Sequence, residues 1–170
     1  MNFRFMKRKK SAGRIDLWGT LITVIGVLML LSGCVKETGK EMYHAFPDHR
    51  WARFNLLSFE MPVEKPGNYD IHLFARFNPD FQFEKFGFSM IMTTPSGEER
   101  INEYKMKVRD KTGDFCVECS GDSCTGNILL KKGISITRKG ILKVEIENLI
   151  PRLVTEGILG VGISVRPSGK

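Results

Sequence analysis

The chain has 170 residues, of which 42% are hydrophobic, 10% aromatic and 26% charged. These are the values of an ordinary globular domain, and they exclude extensive disorder, a coiled coil and a polytopic membrane protein. The net charge of +7 is concentrated at the N terminus, because residues 1–33 hold six of the 26 basic residues and one of the 19 acidic residues. The rest of the chain has no basic cluster with interleaved aromatic residues, so the sequence predicts no nucleic-acid partner.

The N-terminal segment has the pattern of a bacterial lipoprotein signal peptide. Basic residues precede an apolar run over 17–31, and Leu31-Ser32-Gly33-Cys34 follows, which resembles a lipobox. The run spans about 22 Å as a helix, short of the roughly 30 Å hydrocarbon core of a bilayer. We therefore expect residues 1–33 to be removed and Cys34 to be acylated. An uncleaved signal anchor is the alternative.

A lipidated Cys34 predicts a protein that is anchored to a membrane and does not span it. Several acyl chains, at about 0.8 kcal/mol per buried methylene, hold a protein far more firmly than a single chain does. Because the positive residues precede the apolar run, the rest of the chain is expected to be exported. Residues 34–41 are polar and predict a tether, and residues 42–170 predict one folded domain.

From residue 42 onward, apolar residues recur with period two in separate runs bounded by Pro, Gly, Asn and Asp, which is the pattern of β-strands. The turn sequence Pro95-Ser96-Gly97-Glu98 lies between two such runs and predicts a hairpin. The sequence predicts about seven strands, which include residues 57–61, 69–77, 86–92, 104–108, 134–136, 142–146 and 159–165.

Each predicted strand has one apolar face that must be buried. Two antiparallel sheets packed face to face achieve this, and a domain of this size buries roughly two thirds of its unfolded surface. The predicted fold is an all-β antiparallel sandwich of immunoglobulin-like or jelly-roll type, with a small closed barrel as the alternative.

Three cysteines, Cys116, Cys119 and Cys124, form a Cys-x2-Cys-x4-Cys cluster. A zinc site or an iron–sulfur cluster needs a fourth ligand, and the histidines all lie at least 40 residues upstream. Because exported thiols tend to oxidise, the sequence favours one disulfide in an exposed loop, with one thiol left free or paired with another chain. Structural thiols that stay reduced and a metal site are the alternatives.

The chain has no motif typical of an enzyme. It lacks a nucleophile elbow, a His-Glu-x-x-His motif and a phosphate-binding loop. The cysteine cluster does not open a helix of a thioredoxin-like unit, which disfavours thiol redox catalysis. We therefore expect no enzymatic activity, no catalytic residue and no cofactor.

Aromatic residues near predicted loops suggest a binding surface. Phe81 and Phe83 lie in a polar segment between two strands, and Trp51 follows the polar residues His49 and Arg50. If exposed, these aromatic side chains would stack on sugar rings or on a protein partner. The alternative for Phe81 and Phe83 is burial at the end of the sandwich, and the alternative for Trp51 is a half-buried ring beside a polar surface loop.

The last predicted strand suggests a second surface. Its apolar side chains, from Leu159 to Val165, are expected to face the core, so Gly160 and Gly162 would point outward. A face without side chains at the edge of a sheet lets a partner strand approach closely. A structural role, in which the protein's own chain uses that space, is the alternative.

Several motifs occur in a particular order along the chain. The lipobox cysteine is followed by Phe46-Pro47 and Trp51, an Asn-Tyr-Asp-Ile-His-Leu strand, an Arg-Phe-Asn loop, a Phe-x-Met-x-Met strand, Thr94-Pro95-Ser96-Gly97, and strands led by Gly140 and Gly157. This order resembles the gliding-motility lipoprotein GldH family over nearly the whole chain after Cys34. The resemblance implies a non-enzymatic outer-membrane lipoprotein that serves a gliding and secretion apparatus, with other envelope proteins as partners. A surface lipoprotein that binds a glycan is the alternative.

Overall fold

The computed structural model describes residues 39–169 and folds them into eleven strands. The predicted signal peptide and Cys34 lie outside these residues. Within 39–169, no helix is long and apolar enough to cross a membrane. The strands are β1 (Lys40–Ala45), β2 (Arg50–Ala52), β3 (Leu57–Val63), β4 (Gly67–Phe77), β5 (Lys85–Thr93), β6 (Glu99–Lys107), β7 (Glu118–Ser120), β8 (Ser123–Ile136), β9 (Gly140–Asn148), β10 (Val154–Glu156) and β11 (Ile158–Pro167).

The strands form two packed antiparallel sheets and a short ribbon. One sheet has the order β1-β11-β4-β8-β7, the other has the order β3-β9-β5-β6, and β2 pairs with β10. Among the eight longest strands, the first pairs with the last, the second with the seventh, the third with the sixth and the fourth with the fifth. These nested pairings are those of a jelly roll, so the predicted sandwich is confirmed and its type is defined.

The core lies between the two sheets and is filled by the alternate side chains of each long strand. Strand β5 contributes Phe86, Phe88, Met90 and Met92, and β4 faces it with four residues from Ile71 to Phe77. Each such side chain contributes about 2 kcal/mol of hydrophobic stabilisation when it is fully buried. The period-two pattern therefore locates the core correctly.

The seven predicted strands correspond to the seven longest observed strands, and four more are present. Strand β1 begins at Lys40, two residues before the predicted start of the domain, so the end of the predicted tether belongs to a sheet. All six residues of β1 are exposed, and this strand therefore has no hydrophobic period. The other three additional strands have three residues each, too few to show any period.

The structure contradicts the predicted arrangement of the last strand. Strand β11 lies between β1 and β4 and is not an edge strand. A register shift between Ile158 and Gly160 places Ile158 in the core, whereas Leu159, predicted to be buried, is only half-buried. Gly160 and Gly162 do point away from the core, but the rings of Tyr43 and Phe74 cover them. The space that the glycines leave is thus used by the protein itself.

Candidate functional site

The aromatic side chains that the sequence offers as a binding surface are in the core. Trp51 and Phe81 are fully buried, and Phe83 is half-buried against the core cluster. The Trp51 ring lies 5.3 Å from the Phe46 ring, and its indole N–H donates to the Asn55 carbonyl at 2.8 Å. Trp51 lies on β2 and is paired with Thr155 of β10, and its side chain is fully buried. Neither face of the indole is therefore accessible to a sugar ring. Phe81 and Phe83 thus follow their alternative, burial at the end of the sandwich, and Trp51 is more deeply buried than the half-buried ring expected as its alternative.

Two aromatic rings cover Gly160 and Gly162 on the outer face of the five-stranded sheet. The rings of Tyr43 and Phe74 are 5.9 Å apart between centroids and 7° from parallel. Tyr43 is 42% exposed, and partial burial raises the pKa of its hydroxyl while the nearby Arg76 opposes that rise. We call Tyr43 and Phe74 the aromatic pair. The aromatic pair occupies the place where the sequence predicted an open surface at Gly160 and Gly162.

The cysteine cluster is a disulfide-linked hairpin. Cys119 on β7 and Cys124 on β8 are cross-strand neighbours and form a disulfide, and Cys116 is an exposed free thiol. Among residues 39–169, no group of three or more His, Cys, Asp and Glu side chains is placed to hold a metal ion. The loop that precedes this hairpin contains an isolated antiparallel β-bridge between Arg109 and Phe115.

Arg109 fixes two loops at this end of the sandwich, and sequence reasoning did not find it. Its guanidinium lies 3.7 Å from the centroid of the Phe115 ring and donates to the carbonyls of Phe81 at 2.6 Å and Pro79 at 2.9 Å. Beside it, the Thr112 hydroxyl and backbone N–H groups lower the pKa of the Asp110 carboxyl. A lone arginine in a mixed segment gives no sequence signal for this role.

A shallow groove of about 380 Å³ lies between the start of the loop after β4 and the turn that joins β7 to β8. It is lined by His49, Asn78, Pro79, Asp122, Ser123 and Leu159. His49 has φ 57°, and its Nδ1 lies 3.4 Å from the Asn78 amide nitrogen. The Ser123 hydroxyl hydrogen-bonds the Ser120 carbonyl and not a base, so the groove offers no activated nucleophile.

Two neighbouring loops at the same end expose apolar side chains. The first joins β2 to β3, and the second joins β9 to β10. A backbone hydrogen bond from Arg53 N–H to the Leu153 carbonyl, 2.8 Å long, connects them. We define the distal patch as four exposed apolar residues, namely Phe54, Leu56 and Leu153 on these loops and Val154 at the start of β10.

The fold defines an all-β domain of the jelly-roll type. The GldH lipoprotein profile matches residues 39–165, and the chain belongs to the GldH lipoprotein family. This family is associated with gliding motility and the cell envelope, and it is not a known family of enzymes.

No curated protein matches the chain. Among solved structures, the chain is similar to the Eiger TNF from S. frugiperda at 8% identity and a TM-score of 0.38, with 78% of this chain and 96% of that chain covered.

Proposed function

We propose that this protein is a lipid-anchored component of the outer membrane with a non-enzymatic, structural or assembly role in a gliding and secretion apparatus. Residues 1–33 are its signal peptide, Cys34 carries the lipid, and its partners are other envelope proteins. The family supports the envelope lipoprotein, and the lipobox in the sequence supports the anchor.

The observation that carries the proposal is the position at which the chain enters the domain. Strand β1 begins at Lys40, six residues after Cys34, and the Lys40 ammonium lies 2.5 Å from the Glu64 carboxylate just beyond the end of β3. Phe54 and Leu56 of the distal patch lie just before β3 begins, whereas Glu64 follows its last residue. The two ends of the sandwich are therefore roughly 20 Å apart, which is the length of β3. The chain that would carry the lipid thus enters the domain at the end opposite the distal patch.

The anchor is tested by replacing Cys34 with serine and expressing the protein in its own host. The thioether on Cys34 is the step that precedes cleavage, so Cys34→Ser should incorporate no labelled fatty acid and should remain an unprocessed precursor or leave the membrane fraction. Cys116→Ser is the matched control, because it removes an exposed free thiol and leaves the lipobox intact. Fatty-acid labelling of the Cys34→Ser protein at the wild-type level would refute the anchor.

A second function, glycan binding, is favoured by the aromatic pair. Near-parallel rings lying over glycines give a flat apolar surface of the kind on which sugar rings stack, and Arg76 beside it supplies a donor. Tyr43→Ala should then weaken binding of the host's lipopolysaccharide or peptidoglycan to the purified protein, and Ile101→Ala, on another exposed strand, should not. Equal binding by both variants would exclude the aromatic pair.

A further inference from the structure

The distal patch concentrates the exposed apolar surface of the described domain. Nine large hydrophobic residues are exposed among residues 39–169, and four of them form the patch. Leu153 and Phe54 are the two most exposed, at 80% and 73%, and Leu56 and Val154 are 43% and 44% exposed. The other five are spread over strands β1, β6, β8 and β9. Clustered apolar exposure of this kind marks an interaction site, whereas scattered exposure does not.

The patch is held in place by hydrogen bonds beneath it. Besides the link between Arg53 and Leu153, the indole of Trp51 holds the Asn55 carbonyl, and the buried Asn148 amide donates to the Thr155 hydroxyl at 2.7 Å. The loops are therefore ordered before any partner arrives, which lowers the entropic cost of binding.

Phe54 itself occupies a backbone conformation that disfavours it. Its φ is 67°, in the left-handed region where bulky residues are rare and where Asn and Gly are favoured. Strain of this kind persists only where the surrounding structure enforces it, and it concentrates at functional sites. The fold thus retains a strained phenylalanine and displays its ring to solvent, and neither feature stabilises the domain.

The charge around the patch identifies what can cover it. The loops over 53–56 and 149–154 contain two arginines and no acidic residue. The Arg53 guanidinium lies 5.3 Å from the centroid of the Phe54 ring, and Arg152 is exposed beside Leu153. Within residues 39–169, neither arginine takes part in an ion pair. We propose that the distal patch docks onto an envelope protein that presents an apolar recess bordered by carboxylates.

Two other occupants fit the patch less well. A second copy would bring the same patch against itself across a two-fold axis, and Arg53 and Arg152 would face their own equivalents without a compensating carboxylate. The membrane that holds the lipid anchor would have to contact the end of the sandwich opposite Lys40, and it is therefore a poor candidate for the distal patch. This second argument rests on the proposed lipid anchor at Cys34, and the first does not.

The test uses the full-length, lipidated protein in its own host. A photoreactive amino acid replaces Phe54, or Leu153 in a second strain, and the control strain carries it at Ile101, which is 62% exposed on β6. Irradiation at 54 and at 153 should give the same protein adduct, with the crosslinked peptide of the partner next to Asp or Glu residues, and position 101 should not. Adducts with a second copy, adducts with lipid, no adduct, or the same adduct from position 101 would each overturn the proposal.

Two variants separate docking from folding. Phe54→Asn removes the ring and suits the positive φ, so the melting temperature should stay constant or rise by a few degrees while crosslinking from position 153 falls at least tenfold. Arg53→Glu combined with Arg152→Glu should reduce the same crosslink tenfold, and Arg138→Glu, at the opposite end of the sandwich, should not. Unchanged crosslinking in the first two variants would refute the proposal.

The failure of the anchor and the failure of the patch are distinguishable. Every patch variant should remain in the membrane fraction, because Cys34 is intact. Release of the wild-type protein from membranes would refute the anchor, and a crosslink that persists in that case would leave the patch standing.

Discussion

A single methyl group added at Gly162 tests how the last strand is used. The backbone of Gly162 is not in the left-handed region, so alanine is permitted there by its φ. Its Cβ would nevertheless lie 2.7 Å from the Met42 carbonyl oxygen and would overlap the ring of Phe74. Gly162→Ala should therefore destabilise the domain, whereas an outward-facing, uncovered glycine would tolerate the change or gain stability from it.

The expected magnitude follows from what must move. Tilting the half-buried Phe74 ring far enough to clear the added methyl re-exposes roughly 50 Å² of apolar surface, which costs about 1.3 kcal/mol at 25 cal/mol per Å². The Met42 carbonyl belongs to the backbone of β1 and cannot rotate away, so β1 must also shift. Overpacking of this kind costs about 1–3 kcal/mol, and we expect a total loss of about 2–4 kcal/mol.

The assay is urea unfolding of the domain, with Gly87→Ala as the matched control. Gly87 lies in the interior strand β5, and the nearest atom to an added Cβ there is 3.9 Å away, so this variant should unfold within about 0.5 kcal/mol of the wild type or be slightly more stable. In a Phe74→Ala background, Gly162→Ala should cost about 1–2 kcal/mol less, with the Met42 contact remaining. Equal stability of the Gly162→Ala and Gly87→Ala proteins would refute the argument.

Two further predictions concern the cysteines and acid stability. In the folded, oxidised domain only the Cys116 thiol should react with a thiol reagent, and three thiols should react after reduction and unfolding; stoichiometric zinc in the purified protein would contradict this. Asp70 accepts hydrogen bonds from Gly133 N–H at 2.7 Å and the Ser168 hydroxyl at 2.8 Å, which lower the pKa of its carboxyl. The ionised Asp70 carboxylate therefore stabilises the folded state above its unfolded pKa of about 3.9, and this stabilisation is lost as the pH falls through the lower pKa of the folded state. The urea midpoints of Asp70→Asn and the wild type should therefore converge only in strong acid.

The sequence predicts most of the strands that bury one face, although it identifies only residues 134–136 of the 14-residue β8. Strand β3, with every second residue buried from Leu57 to Val63, shows the pattern clearly. Strand β1 shows nothing of the kind, because it pairs with β11 at the edge of the sheet and none of its side chains is buried in the core. The strand order could not be predicted either. Alternation identifies which face of Leu57–Val63 is buried, but it does not identify Gly140–Asn148 as the strand that pairs with it.

The candidate surfaces were harder to predict, for reasons of local geometry. The polar segment at 80–83 is a loop, as its composition indicates, but its Phe81 ring lies 4.5 Å from the Phe77 ring in the core. One bulge after Ile158 is enough to exchange the roles of Ile158 and Leu159. At Phe54, the positive φ belongs to a residue type that gives no hint of it, and the exposure depends on a hydrogen bond to a loop almost a hundred residues away.

The two ends of the sandwich are built differently, and the difference bears on function. At the end where β1 begins, the described turns are closed by glycines such as Gly97 and Gly140, for which a positive φ costs little. At the other end, Gly113 and Gly157 also have positive φ, but the two non-glycine residues of 39–169 with positive φ, His49 and Phe54, lie there as well and flank β2. A strained backbone of this kind costs about 1–3 kcal/mol per residue, and a glycine or asparagine would remove most of it. Within residues 39–169 this cost falls only at the end that carries the distal patch, as the proposed docking through Phe54 requires.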